Sequence, residues 1–208
     1  MAEEILAPWR GGGTGCTIRL EGPMAKTGRR AFLGTTALGV PLAATLRAAP
    51  PTKVVRVAAG EDRFGEHKGL GISTIDFKVT SEDSGGASLV IENTNRAKGG
   101  PARHLHFEQE EHFYVIEGEY LIEVGQERFT LKPGDSLIAP RQVPHVWAHV
   151  GNSIGRLLIA FTPPGQMEAF FREVSKANAM PPQDPAFWRA HGMDLAGPPL
   201  PVCGAEAR

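Results

Sequence analysis

A chain of 208 residues with 25 glycines and 17 prolines is long enough for one domain with a proper core and flanking tails, and too short for two large ones. The formal net charge of −1 and the pI near 6.7 give no basic field, which argues against nucleic acid as a partner. The two cysteines, Cys16 and Cys203, lie near opposite ends, so no disulfide framework can be read from them.

Residues 1–23 contain a GGGTG run and no sustained periodicity, the character of an unstructured extension or of a start assigned too early. From Met24 the chain changes. Lys26, Arg29 and Arg30 form a basic start, Ala31 to about Leu46 is apolar, and Ala48 and Ala49 precede Pro50, the three-part layout of an export signal over residues 24–50. The pair Arg29-Arg30 followed by Phe32-Leu33 resembles the twin-arginine signal, departing from it at Gly28 and Gly34. The resemblance implies a periplasmic or extracellular protein; a leader that leaves the protein cytoplasmic is the alternative. Gly34, Gly39 and Pro41 interrupt the apolar run, which falls short of the roughly 20 residues of a membrane span, so no stable membrane anchor is expected.

The domain is expected over residues 52–180. Lys53 to Val57 reads as a strand, and STIDFKVT (73–80) places Ile75, Phe77 and Val79 on one face with Thr74, Asp76 and Lys78 on the other. Ser84-Gly85-Gly86 turns the chain into the short strand of ASLVIENTN, and NRAKGGPA (95–102) is a loop. After the histidine-rich stretch, RLLIAFT (156–162) is a buried strand stopped by Pro163-Pro164-Gly165. Met167, Phe170, Phe171 and Val174 then recur at helical spacing and predict an amphipathic helix over 166–177. Residues 181–208 read as a tail in which PAFWRA (185–190) adds a turn or two of helix. About seven or eight short strands followed by helix predict an all-β fold: a small antiparallel barrel with one or two short C-terminal helices.

Five of the seven histidines fall between Arg103 and His149. His104 and His106 leave one face of a strand together, while Leu105 points away. In HFYVIEG, Glu111, Phe113 and Val115 share a face opposite His112, Tyr114 and Ile116, so Glu111 can join the two histidines and His112 is a bystander. Glu108 and Glu110 are the competing carboxylates. EYLIEVGQERFTLKPGD is a hairpin with Gly125 at its tip, and His145 begins a strand that carries Trp147 and His149 on the same face. Neutral imidazole is the commonest protein metal ligand, and a carboxylate lowers the net charge of a divalent site.

The run His104-x-His106-x4-Glu111-x6-Gly118, then fifteen residues, then Gly134-x5-Pro140-x4-His145, resembles the two motifs of the cupin superfamily. The flanking DSGGASLVIEN and FTPPGQMEAFF segments are similar to single-domain bacterial cupins of the quercetin 2,3-dioxygenase-like kind. Lys98 stands where the first motif's leading glycine is expected, Gln142 where the second motif usually has glycine, and His149 where it usually has asparagine.

The resemblance implies a jelly-roll barrel, or double-stranded β-helix, in which His104, His106, Glu111 and His145 bind one divalent ion, with Fe, Mn, Ni, Co, Cu and Zn all open. It implies a dioxygenase acting on a small enol, flavonol or catechol-like substrate, with Glu111 as ligand and catalytic base, and a homodimer. The alternatives are a non-catalytic ligand-binding cupin and a sugar isomerase or epimerase. His149, Phe113 and Trp147 are expected beside the metal or lining the cavity, and His67 and His191 at the surface.

Overall fold

A computed structural model describes residues 54–202. The export-signal stretch, Lys53 and both cysteines lie outside the described residues. Strands run in chain order as β1 (Lys68–Leu70), β2 (Ser73–Val79), β3 (Leu89–Asn95), β4 (Arg103–His106), β5 (Glu110–Glu117), β6 (Tyr120–Val124), β7 (Glu127–Leu131), β8 (Ser136–Ala139), β9 (His145–His149) and β10 (Gly155–Thr162). Helices α1 (Met167–Val174) and α2 (Pro185–Ala190) follow, with a 3-10 turn at Ser175–Ala177 between them, and β11 (Met193–Gly197) comes last.

The strands form two sheets, in the order β1-β2-β3-β10-β5-β8 and β11-β4-β9-β6-β7, and every named pairing is antiparallel. This is the all-β jelly roll that the strand pattern predicts. Period-two alternation builds the space between the sheets. In β5, Glu111, Phe113 and Val115 are buried while His112 and Tyr114 are exposed; in β10, Gly155, Leu157, Ile159 and Phe161 point inward. β9 is buried on both faces, because Val146 and Ala148 are covered from outside by Leu121, Val150, Leu200 and Val202.

Two expectations need correction. Val54–Val57 joins no sheet, and Val54 is almost fully exposed. In β2 the register slips between Phe77 and Val79, so that Phe77 faces Ile91 and Val79 faces Val90. The extra residue flips the alternation, and Val79 leaves the core that Ile75 and Phe77 occupy.

Helix α1 seats Met167, Phe170, Phe171 and Val174 against the barrel, with the Phe171 ring 5.7 Å from that of Phe161. α2 starts where Asp184 caps it, its carboxylate accepting the Ala186 N–H at 2.9 Å, with Pro185 preset for the first turn. Beyond α2 the chain forms β11, where only Met193-Asp194-Leu195 alternates, Met193 buried in the core and Leu195 packed against it. It pairs with β4, Met193 opposite His106 and Leu195 opposite His104, and so covers the flank of the histidine strand.

Candidate metal centre

The two sheets bring four groups together. β4 contributes His104 and His106, β9 contributes His145 directly across the ladder from His104, and β5 in the facing sheet contributes Glu111. Their ligand atoms all lie within 4.8 Å of one another, and all four side chains are buried. Glu111 Oε2 is 2.9 Å from His145 Nε2, 3.0 Å from His106 Nε2 and 3.7 Å from His104 Nε2.

The protons decide what this cluster holds. His104 Nδ1 lies 2.8 Å from the Ala102 carbonyl and His145 Nδ1 lies 3.0 Å from that of Val143. A carbonyl only accepts, so each Nδ1 carries a hydrogen and each Nε2 is the nitrogen turned inward. Burial pushes the His104 imidazole down to about 4, so it is neutral at pH 7. Burial would raise the Glu111 carboxyl, but the contacts of His104, His106 and His145 outweigh it and hold the group well below the usual carboxylate range. The lone pair of the neutral His104 ring therefore faces an ionised carboxylate. His106 can bridge with one proton at most, and its Nδ1 is buried without a partner among the described residues. Such an assembly of acceptors lacks positive charge, and a divalent cation supplies it; three imidazole nitrogens and one carboxylate oxygen suit first-row metals.

Around the cluster lies a largely apolar cavity. His104 and Glu111 form part of its wall, with Trp147, Phe161, Phe170, Met180 and Trp188 among the apolar lining. Trp188 is the neighbour that the sequence does not reveal. Its ring centroid is 5.1 Å from that of His104, its indole N–H donates to the Pro182 carbonyl at 2.7 Å, and it is 1 % exposed. The Asp184-Pro185 signal marks the helix that carries it, but nothing local marks the contact.

Other expected residues fall elsewhere. Trp147 lines the cavity, whereas Phe113 packs edge-on to His145 with centroids 6.4 Å apart and lies outside the lining. His149 is about 13 Å along β9 from His145 at strand spacing, outside both the cluster and the cavity lining. It packs against Tyr120 at 5.4 Å, with burial lowering its pKa and its Nε2 without a partner among the described residues. The expectation that His149 stands beside the metal is thus corrected, because four residues of extended chain carry it too far. His112 is exposed, and His67 is half exposed beside Asp76. His191, expected at the surface, is buried between Phe170 and Phe187.

Two positions explain motif departures. Gly100 passes so close to β9 that a Cβ there would lie 1.9 Å from the Trp147 carbonyl oxygen, so the close approach falls two places after Lys98. Gln142 takes φ 62°, a left-handed conformation that favours glycine, while its N–H donates to the His106 carbonyl at 2.7 Å.

Residues 95–161 match the model of the cupin domain family, Cupin_2. An uncharacterised protein of Methanocaldococcus jannaschii is 34% identical over 61 residues, 29% of this chain, and the chain spans about half the length (49%) of that relative. Among solved structures, an RmlC-like cupin from Shewanella frigidimarina is 20% identical over 50% of this chain and 89% of its own, with a TM-score of 0.39. Ectoine synthase from P. lautus is 18% identical over 68% and 86%, with a TM-score of 0.43. The segment similar to the cupin domain family thus spans the strands that carry all four ligands.

Proposed function

We infer that the protein is a divalent-metal-dependent dioxygenase for a small enol, flavonol or catechol-like substrate. The observation that carries this reading is that His104 and Glu111, two members of the His104–His106–Glu111–His145 cluster, stand in the wall of a predominantly apolar cavity. A structural metal site is closed by protein ligands, whereas one facing a cavity leaves room for substrate. The apolar lining disfavours the isomerase reading, since a polyhydroxylated sugar would leave most of its hydroxyls unpaired there.

A divalent ion bound by the four residues would supply Lewis-acid polarisation of a substrate oxygen and a route for electrons toward dioxygen. The chain's own groups do the rest. Among the described residues, the recorded imidazole contacts of Glu111 all fall on Oε2. Oε1 is then the atom that takes the substrate's enol or phenol proton. Trp188 and Phe161 exclude water from the ring of imidazoles. Export through the stretch from Met24 belongs to this reading, as does a homodimer, for which Tyr114 and Ile138 supply exposed apolar surface.

The test is elemental analysis of the purified chain followed by oxygen uptake with a panel of enols, flavonols and catechols. Stoichiometric metal and substrate-dependent oxygen consumption are expected, with Glu111→Ala abolishing turnover even where metal is retained. Oxygen uptake by Glu111→Ala at the wild-type rate would show that Glu111 has no such role. Proton exchange into a substrate without oxygen uptake would favour the isomerase.

A further inference from the structure

The cavity beside the metal centre is smaller than a ring-sized substrate. Its volume is about 40 Å³, enough for a water molecule, whereas benzene is held in a cavity of about 150 Å³. Part of the wall must therefore move before such a molecule can reach His104 and Glu111, and the backbone shows which part is free to do so. Most of the lining sits on paired strands or on helices α1 and α2. Three stretches of irregular chain complete it: Ile72 in the β1–β2 turn, Gly100-Pro101 before β4, and Met180-Pro181 between the 3-10 turn and α2.

The first stretch is tied by the Arg96 N–H, which donates to the Ile72 carbonyl at 3.0 Å, and the second by Gly99 and His149, which exchange backbone hydrogen bonds at 3.0 and 2.9 Å. The third has no such tie. Among the described residues no backbone hydrogen bond joins 179–183 to the rest of the chain, and Pro181 and Pro182 have no N–H to give. Regular backbone stops at Asn178, left-handed at φ 47°, and resumes at Asp184, the N-cap of α2. Ala179, Pro182 and Gln183 are exposed, so Met180 and Pro181 are what seat the segment. Met180 lies on Gly71, where a Cβ would stand 3.0 Å from Met180 N and 3.1 Å from its Cγ; the glycine lets the segment down onto the turn.

We propose that residues 179–183 are a lid over the cavity, and that substrate enters through the gap that opens between Met180 and Gly71 when the lid lifts from the β1–β2 turn. Side-chain packing alone holds the lid shut. An unbranched thioether repacks readily, and segments without backbone hydrogen bonds to their surroundings open at low free energy. The lid rests on the metal-centred reading above and gives that site its route of access.

The test locks the lid with a disulfide in the full chain, Gly71→Cys with Met180→Cys, in a Cys16→Ser, Cys203→Ser background. A cysteine sulfur would replace Met180 Cγ, and 3.1 Å from the Cβ position of residue 71 puts the pair within reach of a cross-link. Oxidised and reduced forms carry the same substitutions, so any strain at φ +60° is common to both. Loaded with Co²⁺, the oxidised form should lose its metal to dipicolinate at least roughly 10-fold more slowly than the reduced form, since the local opening is then blocked. Equal rates overturn the proposal. A second measurement depends neither on metal nor on the folding of a variant. The Trp188 indole N–H donates to the Pro182 carbonyl at 2.7 Å, and a lifted lid breaks that bond. In the wild type this proton should exchange with solvent well before the amides of β10, a strand paired on both sides. Exchange no faster than those amides would mean that the segment opens only when the domain unfolds, and the lid falls. A chain that takes up no Co²⁺ sinks the metal-centred reading, while indole exchange still decides the lid.

Discussion

In one cluster, three imidazole Nε2 atoms converge on Glu111 Oε2 at 2.9–3.7 Å. In another, Tyr120, Asn93 and Asn95 bond to one another and leave Asn95 Nδ2 without a partner among the described residues. Both clusters are buried and both sit on strands whose alternation aims them inward. What separates them is charge: the first lacks positive charge and the second is made of neutral groups.

The largest expected effect comes from breaking the first cluster. His145→Ala removes the ligand nearest Glu111 and leaves that carboxylate less compensated. Metal affinity should fall by more than about 100-fold, since loss of outer partners alone commonly costs roughly 10- to 100-fold. Competition with a chromogenic chelator measures this. Asn93→Ala, in the other cluster, should leave metal affinity unchanged; a parallel loss would mean that the two clusters are one unit.

Acid should separate them as well. His104 is held by burial at about 4, below the ordinary imidazole value of 6.5, so between those values the unfolded chain binds the proton that the folded one refuses. Folding stability is then full above about pH 6.5 and is lost as pH falls toward 4. Glu111, also depressed, acts in the same direction at lower pH. In metal-free protein the His104 term is worth about 2 kcal/mol between pH 7.5 and pH 5. Urea denaturation at the two pH values reads it, and His104→Gln should flatten the difference. An equal slope in His104→Gln would place the titration elsewhere.

The first cluster was legible in the sequence because its information is local. One residue separates His104 from His106, five steps lead to Glu111, and the turn glycines set where each strand begins. The second was hidden in plain composition. At the end of LVIENTN two asparagines read as the approach to a turn, and only β2 and β10 on either side of β3 bury them. The signal was present all the same, since Asn93 and Asn95 keep the inward register of Leu89 and Ile91. β11 and Trp188 were not readable in this way. Each acts on β4 or His104 across more than 80 residues of chain, and MDLAG alternates over only Met193-Asp194-Leu195 before Ala196 and Gly197.

The finest test of the contrast is Tyr120→Phe. Tyr120 is fully buried, and burial, aided by the nearby Glu117 charge, raises its phenol well above the ordinary value, so the hydroxyl keeps its proton and donates to Asn95 Oδ1. Removing the hydroxyl frees one lone pair of that oxygen but leaves the ring, with its packing on Trp147 and His149, in place. The stability cost should be about 1 kcal/mol, that of one buried neutral hydrogen bond, by urea denaturation. Metal content should not change. A stability loss well beyond that cost would show that the hydroxyl supports more of the fold than its one hydrogen bond to Asn95.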